Sequence, residues 1–175
     1  MKETINDLTT RRSCRAFKAD PVPRELVEEV IQAGLYAPSG MGAQEAIVVA
    51  VTNGELRDRL SAANAAVAGM PAGTDPFYGA PVALVVLARR DCPTHVYDGA
   101  LTMGNMLNAA HALGLGCIWV HRAKEEFDQP EWRQVLADLG VEGDYEGIGH
   151  CLLGYAAADP TPAAPRRDGR VFWAE

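Results

Sequence analysis

The amino-acid sequence predicts a single domain in which a central β-sheet is covered by helices. The chain has 175 residues, and 48% of them are hydrophobic, which is enough for one sizeable core. Apolar, β-branched runs alternate along the chain with segments of helical periodicity. This alternation fits a sheet with helices packed on it, and by itself it allows either a parallel or an antiparallel sheet.

The first half of the chain is predicted to hold three helices and one strand. Pro23 suits the first turn of the second helix, and Pro38 disfavours helical backbone in the residue before it. Asn53 is a typical cap for the third helix. In chain order, we expect a helix at residues 4–10, a helix from 23 to about 37, a strand at 46–52, a helix from 53 to about 68 and a loop at 69–78.

The second half of the chain is richer in strands. Residues 82–88 are continuously apolar, which indicates a strand buried on both faces. An Ala- and Met-rich helix is predicted at 97–112, strands at 117–121 and 149–155, and a short surface helix at 130–139. From about residue 156 to 175 the Ala- and Pro-rich chain predicts an extended arm. Residues 1–175 are therefore expected to form one domain with a C-terminal arm.

Composition argues against several functional classes. The formal net charge is −7 and Lys/Arg clusters are few, which disfavours a nucleic-acid surface. No long uninterrupted apolar run occurs, so we expect no membrane span. The first residues lack the apolar stretch of a secretory signal, which predicts a cytoplasmic protein. The four cysteines lack C-x-x-C spacing and the four histidines lack ligand pairing, so we expect reduced thiols and no metal.

Common nucleotide-binding and hydrolase motifs are also missing. Gly40-x-Gly42 and Gly114-x-Gly116 have no third glycine and do not follow a strand, so they do not form a dinucleotide fingerprint. Ser39 lies in no Gly-x-Ser-x-Gly elbow. A Rossmann dehydrogenase and a serine hydrolase are both disfavoured.

A cluster of basic side chains near the N-terminus is the strongest candidate for a binding site. The segment from Arg11 to Arg15 places three guanidinium groups and the Ser13 hydroxyl within five residues. A guanidinium presents a planar fork of donors that fits phosphate, and crowded guanidiniums repel each other unless an anion lies among them. The alternative is a solvated basic surface, or ion pairs with the acids at positions 25, 28 and 29.

Six blocks of sequence, in this order, resemble the FMN-dependent nitroreductase family. The first is Arg-Arg-Ser-x-Arg-x-Phe at residues 11–17, and the second is Ala-Pro-Ser-Gly-Met-Gly-Ala-Gln at residues 37–44. The others lie at residues 75–81, 114–119, 147–155 and 165–167. The resemblance implies an α+β fold with a mixed, largely antiparallel central sheet flanked by helices. It also implies a homodimer with the flavin site at the subunit interface.

The same resemblance implies which residues hold FMN. The phosphate, ribityl chain and pyrimidine edge are matched by Arg11, Arg12, Ser13 and Arg15, with Arg166 or Arg167 joining at the phosphate. The loop of Pro38, Ser39 and Gly40 is implied to reach the flavin from the other subunit. A second loop facing the flavin is matched by Gly147, Ile148, Gly149 and His150, with Asn64 as a further contact. The alternative for this second loop is structural, namely strand-entry glycines and a satisfied, partly buried histidine.

The implied activity is transfer of electrons from NAD(P)H through flavin N5 to an electron-poor acceptor, a nitroaromatic or a quinone, by a ping-pong mechanism. No side chain needs to act as a general acid, so no catalytic residue is assigned. The chain departs from the family pattern at Gly42, where many members carry Asn, and at Glu45-Ala46, where they carry Pro-Trp. Two alternatives remain: a flavin-binding or storage protein with little turnover, and a related flavin dehydrogenase or dehalogenase.

Overall fold

The computed structural model describes residues 1–175 as six helices and four strands. In chain order these are α1 (Glu3–Thr10), α2 (Arg24–Leu35), β1 (Ala46–Val51), α3 (Gly54–Val67), β2 (Val82–Arg89), α4 (His95–Ala112), β3 (Gly116–Val120), α5 (Ala123–Phe127), α6 (Pro130–Asp138) and β4 (Tyr145–Gly154). A short 3-10 turn at Gly40–Gly42 lies between α2 and β1. Every helix and strand expected from the sequence is present, with ends shifted by a few residues.

The four strands form one antiparallel sheet in the order β1-β2-β4-β3. Strand β2 is central and buried along almost its whole length, as its continuously apolar sequence predicts. At its middle, Val85 lies opposite Val49 of β1 and His150 of β4. The antiparallel pairing settles the sheet direction that the order of elements had left open.

Helices cover both faces of the sheet, and each face has its own apolar core. On one face, α2 and α4 pack on the sheet through side chains such as Val30 and Met106. On the other face, α3, α5 and α6 contribute Leu60, Phe127 and Trp132. Because both faces are covered, the exposed parts of the sheet are its two edges, and β3 forms one of them.

Two elements differ from the sequence-based expectation. Helix α5 was not predicted because its five residues are too few to show a periodicity. Strand β4 begins at Tyr145, four residues earlier than expected. The start was missed because glycines, such as those at 147 and 149, are not typical of strands. The register of the β2–β4 pairing shifts between Val86 and Leu87, opposite this glycine-containing part of β4.

The segment at residues 16–17 contacts the chain just after β4, where the body of the fold ends. Phe17 forms an isolated antiparallel bridge with Ala156, and the Ala157 N–H donates to the Ala16 carbonyl at 2.9 Å. Beyond this point, residues 157–175 have no helix or strand and are exposed throughout, as expected of an arm. None of the helices combines the length and the apolar character needed to cross a membrane.

Candidate functional site

The arginine-rich segment lies against the edge of the sheet formed by β3. Ser13 forms a parallel bridge with Cys117, and the Cys14 N–H donates to the Cys117 carbonyl at 2.9 Å. These contacts fix the backbone of the segment beside the first residues of β3. The side chains of Arg11, Ser13 and Arg15 are therefore presented from an anchored strand-like segment, and all three are at least partly accessible.

Arg11 reaches toward the buried thiols beneath this segment. Burial raises the pKa of the Cys117 thiol to about 11, and the nearby Arg11 guanidinium opposes that rise. Burial also raises the pKa of Cys151 well above its usual range, and the positive charge of Arg11 again opposes that rise. Both thiols are therefore protonated at neutral pH and unreactive. All four cysteines are free, as the sequence predicted.

The acids of the protein do not neutralise the arginine-rich segment. Neither Arg11 nor Arg15 takes part in any of the ion pairs of the structure, and Glu28, one of the expected alternative partners, pairs instead with Arg24 at 2.7 Å. Arg12 behaves differently, because its Nη1 donates to two carbonyl oxygens near the end of α1, at 2.7 and 2.9 Å. Two guanidiniums of the segment thus remain available for an anion.

The loop at residues 38–44 is a second preorganised feature. The Gly40 N–H donates to Asp98 Oδ1 at 3.0 Å, and the Gln44 N–H donates to Ser39 Oγ at 3.0 Å. Met41 and Gln44 have left-handed φ values of 53° and 55°, which are costly for residues with side chains. Strain of this kind persists where surrounding contacts enforce it, often at functional sites. Pro38 and Ser39 lie in the lining of a concavity of about 650 Å³ beside this loop.

Gly147, Ile148, Gly149 and His150 lie in strand β4, so the expectation that they form a loop is wrong. A side chain at position 147 would strike the Ala123 backbone, and one at 149 would strike the Trp119 indole. These two glycines therefore allow α5 and Trp119 to pack on the strand, which matches the structural alternative. A contact between this stretch and the flavin stays a prediction.

Asn64 and His150 meet in a buried polar network centred on Glu126. All three side chains are fully buried. The Asn64 amide donates to Glu126 Oε1 at 2.5 Å and to the His121 carbonyl at 2.8 Å. His150 Nε2 lies 2.8 Å from Glu126 Oε2, while His150 Nδ1 lies 3.2 Å from the Val120 carbonyl. The carbonyl only accepts, so we place the Nδ1 proton on that contact.

Arg122 completes this network. Its Nε and Nη2 donate to Asn64 Oδ1 at 3.1 and 3.0 Å, which fills the hydrogen-bonding capacity of the amide inside the protein. In the structure, Asn64 holds the Arg122 side chain. A contact from Asn64 to the flavin stays a prediction. Sequence reasoning missed Arg122 and Glu126, because both sit in a charged stretch that resembles an ordinary solvent-exposed helix.

Arg166 and Arg167 are exposed in the C-terminal arm. They line a concavity of about 540 Å³ together with Pro165, Asp168 and Arg170. No residue of the N-terminal arginine segment lines it. Within one chain, the two basic clusters therefore do not share a cavity.

Comparisons with known proteins agree with this geometry. The sequence pattern that defines the nitroreductase family matches residues 8–155 of this chain. A nitroreductase with bound FMN from Bacteroides fragilis is 28% identical, with a TM-score of 0.88 and 100% of each chain covered. A second one with bound FMN, from Desulfitobacterium hafniense, is 27% identical, with a TM-score of 0.86 and the same coverage.

A curated relative extends the comparison to sequence. A protein of Methanothermobacter thermautotrophicus, named as an NADH dehydrogenase/NAD(P)H nitroreductase, is 28% identical over 121 residues. This match covers 67% of the present chain and spans 60% of the length of that relative.

Proposed function

The chain belongs to the nitroreductase family, and from this premise we propose that it is an FMN-dependent oxidoreductase that takes electrons from NAD(P)H. The observation that carries the proposal is the pair of guanidiniums, Arg11 and Arg15, that no carboxylate of the protein neutralises. On a chain with a net charge of −7 acids are plentiful, so two unpaired arginines within five residues favour an external anion.

The residues of the candidate site fit a phosphorylated flavin. Arg11, Ser13 and Arg15 would hold the phosphate and its neighbouring polar groups, since none of the three gives a side-chain hydrogen bond to a carboxylate of the protein. Two proteins of the same fold, each about a quarter identical, contain FMN, which supports this choice among phosphorylated ligands. Arg12 stabilises the backbone of the segment by donating hydrogen bonds to two carbonyl oxygens.

When bound, the isoalloxazine ring supplies the redox chemistry, accepting electrons from NAD(P)H and passing them to an electron-poor acceptor of the nitroaromatic or quinone class. We propose that donor and acceptor use one site in turn, which is a ping-pong mechanism. The protein's own residues bind and orient the cofactor and shape the space above it. No side chain of the site is needed as a general acid.

A second copy of the chain is proposed to complete the site. Beside the 38–44 loop, Tyr36 and Met41 are 81% and 96% exposed, and Trp173 in the arm is 84% exposed. Tyr36 and Met41 lie at the same loop, and clustered exposed apolar side chains mark surfaces that a partner covers. In a homodimer the loop with Ser39 would face the partner's flavin, and the arm would bring Arg166 or Arg167 to a phosphate that its own chain does not reach.

Dilution tests the dimer. We expect size-exclusion chromatography with absorbance detection to show a yellow dimer that loses FMN in parallel with dissociation. A monomer that retains stoichiometric FMN would contradict a site shared between subunits.

A visible spectrum followed by an anaerobic titration with NADH and NADPH tests the activity. We expect an absorption band of bound flavin that bleaches on addition of either nucleotide and returns when a nitroaromatic or a quinone is added. Bound flavin that is not bleached by either nucleotide would favour a storage protein. Absence of flavin uptake, even after incubation with excess FMN, would refute the proposal.

A further inference from the structure

Between the start of α2 and the end of α6, Arg122 is the only arginine that has no carboxylate partner. Six other arginines form ion pairs: Arg24, Arg57, Arg59, Arg89, Arg90 and Arg133. The remaining arginines belong to the N-terminal segment or to the C-terminal arm. Between α2 and α6, six of the seven arginines are paired with acids, so the unpaired guanidinium of Arg122 is the exception there, and a free guanidinium is suited to bind an anion.

The backbone of Arg122 is strained. Its φ is +81°, in the left-handed region that favours glycine, and it forms the N-terminal boundary of α5. A residue with a long side chain costs energy at such a position and persists only if surrounding contacts enforce it. The surrounding contacts therefore enforce the backbone conformation of this turn.

A buried amide holds the side chain. Nε and Nη2 of Arg122 both donate to Asn64 Oδ1, and Asn64 is in turn fixed by Glu126, a fully buried carboxylate. The guanidinium itself is only partly buried, and its Nη1 donates to no protein group. The network thus fixes one side of the fork and leaves the other side free, which is how a binding arginine is preorganised.

Its position separates Arg122 from the proposed phosphate site. Arg11 lies near Cys117, at the start of β3, whereas Arg122 follows the end of that strand. A strand rises about 3.3 Å per residue, so Cys117 and Val120, the last residue of β3, are roughly 10 Å apart along the strand. Arg122 also follows Val120, the cross-strand partner of His150, in the part of β4 that is expected to face the flavin.

We propose that Arg122 binds the negatively charged group, a carboxylate or a phosphate, of the small molecule that reacts at the flavin. This inference rests on the proposed function and adds a specificity-determining residue to it. Because Arg11 lies near the first residues of β3 and Arg122 follows its last residue, we assign Arg122 to a second anion. The chemistry is the same whether that anion belongs to the acceptor or to the nucleotide donor.

Three variants isolate the role of Arg122. Arg122→Asn removes the guanidinium and keeps a residue type that tolerates the left-handed backbone. Arg122→Lys keeps the charge but loses the planar fork. Arg59→Gln is the matched control, because it removes one positive charge from an exposed ion pair with Glu131.

Steady-state kinetics with paired substrates give the readout. The acceptors are 4-nitrobenzoate and its neutral counterpart 4-nitrobenzamide, and the donors are NADH and NADPH. We expect Arg122→Asn to raise KM about 10-fold or more for the substrate whose anion is bound, which is the loss of one charge-assisted hydrogen bond. Arg122→Lys should fall between wild type and Asn, and Arg59→Gln should match wild type.

The pattern of the loss identifies the anion. A rise confined to 4-nitrobenzoate assigns the acceptor's carboxylate, and a rise confined to the nucleotides assigns their phosphates. An equal change for 4-nitrobenzamide, or no change for any substrate, overturns the inference while leaving the flavin activity intact.

Calorimetry separates this inference from the proposed function. If the wild-type protein neither takes up FMN nor oxidises NAD(P)H, the proposed function fails. Titration of the flavin-free protein with 4-nitrobenzoate and NADPH then still tests whether Arg122 binds an anion. Binding that is weakened in Arg122→Asn supports an anion site. Binding that is absent in wild type, or unchanged in the variant, overturns it.

Discussion

Replacing Glu126 with Leu is expected to lower the free energy of unfolding by about 2–6 kcal/mol, the cost of leaving two buried polar groups without a partner. Glu126 is fully buried, with Oε2 2.8 Å from His150 Nε2 and Oε1 accepting from the Asn64 amide at 2.5 Å. Leu is close to Glu in size, so little cavity forms. The loss comes from two orphaned polar groups, each worth about 1–3 kcal/mol.

Two further variants make the measurement specific. Glu126→Gln keeps an acceptor for Asn64 and should cost less than Leu. Glu131→Ala removes an exposed acid that pairs with Arg59 at 2.6 Å, and exposed pairs contribute at most about 1 kcal/mol. Urea unfolding followed by circular dichroism gives each value. A loss for Glu126→Leu no larger than that for Glu131→Ala would refute the view that this network is fully buried and paired.

Three further outcomes are expected. Gly42→Asn should tighten FMN binding in calorimetry, because φ at position 42 is +68°, which Asn tolerates, and the space around its Cβ is empty; unchanged affinity would show that the amide absent from this chain is not needed. Gly149→Ala should lower the melting temperature, since the added methyl strikes the Trp119 indole; an unchanged melting temperature would refute the close approach. Burial pushes the pKa of Asp75 up, but hydrogen bonds led by that from Arg57 outweigh it and lower the pKa below 3.8. The unfolded state then binds the proton more readily, so this stabilisation is present above about pH 4 and is lost as the pH falls through the lowered value. Asp75→Asn should flatten acid unfolding in that range, and an unaltered acid transition would contradict the assignment.

The helices and strands were largely predictable because their signals are local. The continuous apolar run of β2 and the Asn53 cap of α3, whose side chain accepts from the Leu56 N–H at 2.9 Å, are each readable from adjacent residues. The direction of the sheet was not readable, because it depends on which distant strands pair. Resemblance to a known family supplied it.

The candidate site was predictable only in part. The Arg11–Arg15 segment carries its signal in composition, and the structure shows its charges to be unpaired by protein acids. The network of Asn64, Arg122 and Glu126 has no such signal, since its members lie up to 62 residues apart and meet only after α3 and α5 pack. The proposed convergence of Arg166 with Arg11 would require a second chain, because within one chain the two residues do not line a common cavity.

The most direct test of the central claim is to compare the affinity for FMN with that for riboflavin, which lacks the phosphate. Two charge-assisted contacts from Arg11 and Arg15 predict that wild type binds FMN about 100-fold or more tightly than riboflavin. Arg11→Ala and Arg15→Ala should each shrink this ratio, whereas Arg24→Ala, which removes an arginine already paired with Glu28, should preserve it. Equal affinity of the wild-type protein for FMN and riboflavin would contradict the account.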